Sequence, residues 1–371
     1  MNSNTFKRSA TSNPLPLGRG QGEGPLGRGG GEGFGGEGIL FYSPRFYPLV
    51  GGLERVTMNW ADYLQQQGYQ VTVITNTPAA GPDAFSYTVV RGASWYQQWR
   101  LMRKARVVLL LNISLKALPL LWLAGQPLLI SHHTLLTDGV YARQWRQQLK
   151  RFISNRLARL NICCSAYVAR PLRRTVVVHS PFDDTIFRPD PMVARQPNSI
   201  LFVGRLVPDK GIDLLLQAFE QLLQRHPADG WQLSIAGDGP LRPLVEQAAA
   251  RLPAIRVAGS VSQAGIARLM QQHQVLAVPS VVEPFGTVVP EGLACGCAVV
   301  SSTAGGLPEA GGACALQVAE AEPGAWARAL ALAAQNNPCN AQQVHAHLQS
   351  LTVSYSGQLL LAAIRSALKS A

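Results

Sequence analysis

From Gly38 onward the chain alternates short apolar runs with longer stretches of helical period. The runs ILFYSP, YQVTVITN, VVLLLN, PLLISHH, RLNICCS and TVVVHSP read as strands. Between the first two, GGLERVTMNWADYLQQQG reads as a loop and a helix closing at Gly68. A Pro-rich stretch, SPFDDTIFRPDPMVARQP, interrupts the pattern, which then restarts with SILFVG, WQLSIAG, IRVAG, VLAVPS and CAVVSS, each followed by a Gly-rich turn and a helix. Strands alternating with helices predict a parallel sheet covered on both faces, so the fold class is α/β. The restart predicts a second doubly wound domain, with the boundary near residues 180–198. Two such domains leave a cleft between the carboxyl ends of their strands, where ligands bind.

Length and composition fit this picture. A chain of 371 residues can build two cores, and 47% hydrophobic with 15% charged residues reads as a globule. Val107 to Ile130 is the longest apolar region, but Asn112, Lys116, Pro119, Gln126 and Pro127 break it, so no clean membrane span is expected. The N-terminus is basic without a signal-like apolar core, which places the chain in the cytoplasm as an expectation. Residues 1–37, rich in Gly, Arg and Glu, are expected to be a disordered tail. The six cysteines form no Cys-x-x-Cys pair, so reduced, buried thiols are expected instead of zinc or redox chemistry.

Charge is uneven. Residues 1–180 hold 21 Lys/Arg and 7 Asp/Glu, against 12 and 14 in residues 181–371. The first half should therefore meet an anionic partner: membrane lipid, nucleic acid or an anionic glycan. In YARQWRQQLKRFISNRLARL, Arg143, Arg146 and Lys150 recur at helical spacing, while Trp145, Leu149, Phe152 and Ile153 gather on another face. That arrangement suits an anionic lipid surface across residues 143–174, or else a surface helix packed on the sheet.

The loops after the strands of the second half carry the unusual residues. GRLVPDKG, from Gly204, brings Arg205 and Lys210 to a loop ending at a helix start, where a diphosphate fits; the plainer reading pairs them with Asp209 or Asp213. AGDGP supplies Gly237 and Gly239 for close backbone approach. EPFGTVVPEGLACG sets Glu283 before a helix and Glu291 one turn into it, with Phe285 and Gly286 in the turn and Thr287 as the expected N-cap. The two acids would approach one ligand from different sides, one toward a sugar and one toward a vicinal diol such as ribose. SSTAGGLPEAGG adds Glu309, in a loop that closes over phosphates or merely turns.

The order Gly-Arg-x5-Lys-Gly, Gly-Asp-Gly-Pro, Pro-Ser-x2-Glu-Pro-Phe-Gly-x4-Glu-x3-Ala-Cys-Gly and Gly-Gly-x2-Glu resembles the retaining, nucleotide-sugar-dependent glycosyltransferases of family four. The resemblance implies a GT-B fold, with an acceptor-side domain at 38–180, a linker at 181–198, a donor-binding domain at 199–350 and a crossover helix at 351–371 returning to the first domain. It implies that Arg205 and Lys210 bind the donor pyrophosphate, that Glu283 lies beside the donor sugar and that Glu291 holds the ribose hydroxyls. Gly51 and Gly52 match the glycine loop that closes on the phosphates. His133 in SHHTL matches the active-site histidine, although the tandem leaves His132 open. The Arg–Lys loop and the two acids should then enclose one cavity facing the histidine strand.

Loss of a nucleoside diphosphate needs a metal or fixed cations, and no Asp-x-Asp pair is present, so no metal cofactor is expected. The implied donor is a UDP-, GDP- or ADP-sugar, and the implied acceptor a cell-envelope glycan or lipid-linked chain, reached from the inner face of the plasma membrane. The linker SPFDD departs from the family's Asn-Gly-x-Asp, and the stretch from Asn76 to Val107 is short. Two rival readings are a sugar-nucleotide epimerase of the same fold and a basic nucleic-acid-binding protein. No Gly-x-Gly-x-x-Gly follows the first strand, which argues against a nicotinamide oxidoreductase, and the paired glutamates are unexplained by nucleic-acid binding.

Overall fold

A computed structural model describes residues 38–49, 51–136 and 144–369. The tail expected at 1–37 and Arg143 lie outside the described residues. The first sheet holds β1 (Gly38–Tyr42), β2 (Gln70–Thr75), β3 (Thr88–Arg91), β4 (Val107–Leu111), β5 (Leu129–His132), β6 (Leu160–Cys163) and β7 (Thr175–Val177). The second holds β8 (Gln196–Val203), β9 (Gln232–Ala236), β10 (Ile255–Gly259), β11 (His273–Val278), β12 (Ala298–Ser302) and β13 (Ala315–Val318). Their orders are β3-β2-β1-β4-β5-β6-β7 and β10-β9-β8-β11-β12-β13, parallel throughout. All of β4, Val-Val-Leu-Leu-Leu, is buried, because helices cover both faces of a parallel sheet.

In each sheet the strand order reverses beside the first strand: β1 sits between β2 and β4, and β8 between β9 and β11. Connections leaving such a pair run to opposite faces, which opens a crevice at the carboxyl ends. The first domain's helices are α1 (Gly52–Gln66), α2 (Trp95–Lys104), α3 (Leu118–Leu123), α4 (Gln144–Leu157) and α5 (Ala166–Ala169). Right-handed crossovers put α1 on one face and α2, α3 and α4 on the other; Met102, Leu120 and Ile153 of those three share one core with Leu40, Val108 and Ile130 of the sheet.

The second domain has α6 (Ile212–Arg225), α7 (Arg242–Arg251), α8 (Gln263–Gln272), α9 (Val288–Ala294), α10 (Leu307–Gly311) and α11 (Pro323–Gln335), followed by α12 (Ala341–Gln349) and α13 (Val353–Lys369). In α6, Ile212, Leu215, Phe219 and Leu222 are all buried, the spacing of one helical stripe. The last helix packs on α1 of the first domain. There Trp60 Nε1 donates to Ser356 Oγ at 3.0 Å, and that hydroxyl donates to the His179 carbonyl at 2.8 Å. Phe182 of the linker forms a parallel bridge with Thr352, and its N–H donates to the Leu351 carbonyl at 3.1 Å.

Three details differ from the sequence reading. Strands β3 and β13 were not anticipated, being four-residue edge strands with half-exposed positions. Strand β8 begins at Gln196, inside the expected linker, because a register shift around Asn198, at φ 50°, lets Gln196 pair with His273 before Ile200 pairs with Val275.

Candidate functional site

The loops at the carboxyl ends of β9, β8, β11 and β12 lie against one another in sheet order. Gly237 ends β9 at φ 149°, so close to the Gly204 carbonyl oxygen that a Cβ there would overlap it. A 3-10 turn, Pro208–Lys210, carries Lys210, and the Asp209 carbonyl of that turn accepts from Val281 N at 2.8 Å. Gly305, at φ 62°, is equally tight against the Glu283 carbonyl oxygen, which also accepts from Gly306 N at 2.9 Å. Only glycine fits the two close approaches. The four loops thus bring Gly204 and Arg205, Lys210, and Glu283 onto one rim.

Glu283 is buried and accepts from Lys210 Nζ at 2.5 Å and Ser280 Oγ at 3.4 Å, both on Oε2. Its Oε1 has no partner among the described residues. Lys210 therefore pairs with Glu283 and not with Asp209 or Asp213. Arg205 is exposed and makes no side-chain hydrogen bond or ion pair among the described residues.

Glu291, in the first turn of α9, is also buried, but its partner comes from the other domain: Arg55 Nη1 of α1 donates to Oε1 at 2.7 Å. The second oxygen, Oε2, has no partner among the described residues. Burial raises the Glu291 pKa most, Arg55 pulls it down, and the charge of Asp183 pushes it up. The two acids thus have the same arrangement, one oxygen on a cation and one open. Thr287 does not cap α9 through its hydroxyl, since it is already helical at φ −55°, ψ −23°, whereas a capping residue needs extended backbone. Gly286 turns at φ 93°, and the buried ring of Phe285 stacks on His179 with centroids 5.1 Å apart.

A crevice between the domains is lined by Gly52, Arg55 and Asn59 of α1, Pro181, Asp183 and Phe187 of the linker, and Gln263, Thr287 and Glu291. Three expected residues, Gly52, Thr287 and Glu291, meet there. Lys210 and Glu283 are not among its lining residues; the Arg55–Glu291 pair draws α1 and α9 together at this point. Gly51 precedes α1, with the Glu54 carboxylate lying over it and paired to Arg45 Nε at 3.3 Å.

The tandem histidines separate cleanly. His132 is buried, with Nε2 2.8 Å from Asn161 Oδ1. Asn161 Nδ2 donates to the Ser154 and Arg173 carbonyls, so Oδ1 accepts and His132 carries its proton on Nε2. Burial pushes the His132 pKa down to about 4, against the effect of the Asn161 bond. His133 faces Trp60, with ring centroids 5.5 Å apart, and bonds Ser131 Oγ at 2.8 Å through Nε2 and Ser180 Oγ at 3.3 Å through Nδ1. Burial, then His132, pushes its pKa down to about 3. It is neutral at pH 7, and its looser bond is to the linker.

Glu309 goes elsewhere. Its carboxylate accepts from Ala166 N at 2.7 Å and Tyr167 N at 3.0 Å at the start of α5, and from His179 Nε2 at 3.3 Å. Burial raises its pKa, but the bonds from His179, Ala166 and Tyr167 outweigh burial and leave it lowered. With both oxygens occupied across the domain seam, Glu309 ties the domains together. Ser165 Oγ adds a bond to the Pro284 carbonyl at 2.6 Å. Arg55 escaped the sequence reading. It follows Gly52 by three positions, one helical turn, and so shares the face that opens on the cleft.

A family model described as glycosyl transferases group 1 matches residues 197–336, and one described as glycosyltransferase family 4 matches residues 50–183. The chain belongs to the family-4 glycosyltransferases. A human relative, one of the subunits of phosphatidylinositol N-acetylglucosaminyltransferase, is 24% identical over 307 residues, 73% of this chain and 63% of that protein. An uncharacterized glycosyltransferase of Methanocaldococcus jannaschii is 41% identical over 113 residues, 30% of this chain and 28% of that protein. The chain thus spans less than two thirds of either relative. The crystal structure of Anabaena HepE in complex with UDP and glucose matches at TM-score 0.73 and 20% identity, covering 89% of this chain and 100% of that one. The family-4 chain therefore has the GT-B fold, two facing parallel-sheet domains.

Proposed function

We propose that the protein transfers a hexose from a nucleoside-diphosphate sugar to a glycan or lipid-linked acceptor of the cell envelope, retaining the anomeric configuration. The observation that carries this reading is Lys210 bonded to Glu283 on the rim beside the unpaired Arg205. As the diphosphate leaves, negative charge develops on its oxygens, and two fixed cations and the adjoining backbone N–H groups stabilise it without requiring a metal. Glu283 Oε1 is open to accept from a sugar hydroxyl, and Glu291 Oε2 from a ribose hydroxyl. A carboxylate beside the anomeric carbon supports an oxocarbenium-like charge, and attack by the acceptor on the face the diphosphate leaves retains the configuration without an enzyme nucleophile. His133, neutral at pH 7, serves as a hydrogen-bonding group and not as a cation.

UDP-sugars are the first donors to test, because the Anabaena neighbour holds UDP and glucose. GDP- and ADP-sugars complete the panel. A lipid-bearing acceptor is supported by the human relative's phosphatidylinositol substrate name and by the surface of the first domain. Positions 92–182 hold 14 Lys/Arg and one Asp. On the face carrying α2, α3 and α4, Trp95, Trp122, Trp145 and Phe152 are exposed, with Arg146 stacked over Trp145 and Arg156 over Phe152. Such Arg–aromatic pairs suit an anionic membrane interface, reached from the cytoplasmic side. Among the described residues no helix is long and apolar enough to cross a membrane.

The test is thermal stabilisation and turnover across the three donor classes, with Glu283→Ala and Arg205→Ala beside the wild type. Stabilisation and hydrolysis that both variants reduce are expected; equal binding and turnover in all three proteins would remove the site assignment. An epimerised donor formed without acceptor would point to an epimerase.

A further inference from the structure

We infer that Arg55 is a positioning residue of the nucleotide subsite, which holds Glu291 from the opposite domain so that its free oxygen meets the vicinal diol of the nucleoside. This rests on the donor reading above. The geometry is specific: Arg55 takes Oε1 at 2.7 Å, and Oε2 is left without a partner among the described residues, beside the crevice that Arg55, Glu291 and Gly52 line. The neighbouring Glu54 does not compete for the guanidinium, since its own partner is Arg45.

A carboxylate buried with no counterion takes up a proton. One oxygen then becomes a hydroxyl donor, and the neutral carboxyl accepts from a vicinal diol more weakly than the charged one does. Arg55 is the cation that opposes this, although burial still leaves the Glu291 pKa above the ordinary carboxylate value. The other charge bearing on Glu291 is Asp183 of the linker, of the wrong sign, and Cys295 one turn along α9 is an uncharged thiol. Around α9, Arg268 of α8 pairs with Asp190, Glu309 of α10 is bound to α5, and His347 of α12 bonds the Ala310 carbonyl at 2.9 Å. None of these replaces Arg55. Because the two residues belong to different domains, the diol subsite is complete only while α1 and α9 stay in contact. Donor binding and domain closure are thereby coupled.

The test compares UDP with 2′,3′-dideoxy-UDP by calorimetry on the full chain, for wild type, Arg55→Met, Arg55→Lys and Glu291→Gln, from pH 6 to 9. GDP with its dideoxy analogue is used if the wild type selects guanine, and the ADP pair if it selects adenine. Where Glu291 is ionised the wild type should prefer the diol on the order of tenfold or more, the strength of a bond to a charged acceptor, and it should keep that preference to a lower pH than Arg55→Met does. Arg55→Met should bring the preference within about twofold at pH 6 and regain it as pH rises, since ionisation of Glu291 restores the acceptor. Arg55→Lys should keep most of it, and Glu291→Gln should stay low at every pH. A merely structural role for Arg55 would lower affinity for both ligands alike. In parallel, the carboxyl carbon resonance of Glu291, assigned with Glu291→Gln, should titrate at higher pH in Arg55→Met; if that variant does not fold, Arg55→Gln takes its place. An unchanged diol preference, or an unchanged Glu291 titration, overturns the inference while leaving the donor reading intact. Failure of the wild type to bind UDP, GDP or ADP overturns both.

Discussion

Lys210 Nζ lies 2.5 Å from Glu283 Oε2, and the second oxygen of that carboxylate has no partner among the described residues. In the proposed reaction the ammonium has two jobs, to hold the acid and to meet the leaving diphosphate. Lys210→Met is expected to lower kcat/KM by roughly a hundredfold or more, the usual effect of losing a group aimed at developing charge. Glu283→Gln keeps the shape and one acceptor, so donor affinity should change only a few-fold while turnover falls. Steady-state kinetics with calorimetry separates the two. Equal losses in binding and turnover for Glu283→Gln would contradict the positioning role.

Glu309 offers a different readout. Replacing it with Ala leaves the N–H groups of Ala166 and Tyr167 without their acceptor, a loss of about 1–3 kcal/mol. Urea denaturation should show that shift, with UDP binding by the native protein unchanged. A large fall in nucleotide affinity at unchanged stability would place Glu309 at the phosphates after all.

The buried histidines set an acid limit. His132 drops from an ordinary 6.5 to about 4, so below pH 6.5 the unfolded chain binds a proton that the folded one does not. Stability is therefore expected to fall as pH drops from about 6.5 toward 4, at up to about 1.4 kcal/mol per pH unit for this group. His132→Gln removes that titration. Its denaturation midpoint should change less steeply between pH 7 and 5 than that of the wild type, even though its absolute stability is lower. Parallel slopes would mean that His132 is not the group responsible.

Membrane contact should depend on both charge and aromatics. Vesicles containing phosphatidylglycerol are expected to bind the protein at low salt, and less as salt rises. Combined reversal of Arg146, Lys150 and Arg151 to Glu should weaken binding roughly tenfold or more, at about 1 kcal/mol per charge near the surface. Trp145→Ser with Phe152→Ser should weaken it at high salt as well. Sedimentation with vesicles measures both, and no binding at any salt would remove the lipid surface from the proposal.

Much of the fold could be read along the chain, because strands covered on both faces must be apolar runs, as in Val107–Leu111. The edge strands β3 and β13 escaped for the same reason: half-exposed and four residues long, they need no such run. Loop chemistry was legible where a Gly-rich run marks a close backbone approach, as at Gly237. It was not legible where partners lie far apart in the chain. Arg55 meets Glu291 across 236 positions, and Glu309 meets Ala166 across 143, so no local spacing announces either contact. The histidine tandem was ambiguous because neighbours on a strand point to opposite faces, and only the register shows that His133 is the one turned toward Trp60.

The chain passes between the domains twice, and Phe182 of the first passage is bonded to Leu351 and Thr352 of the second. One thread would allow the halves to swivel freely. Two threads stitched side by side behave like the leaves of a door hinge: the halves can swing about one axis, while sliding or twisting would tear the stitch. Any opening that admits a ligand must therefore follow that swing, and a chain cut short before Leu351 would lose the direction of the movement as well as its last helix.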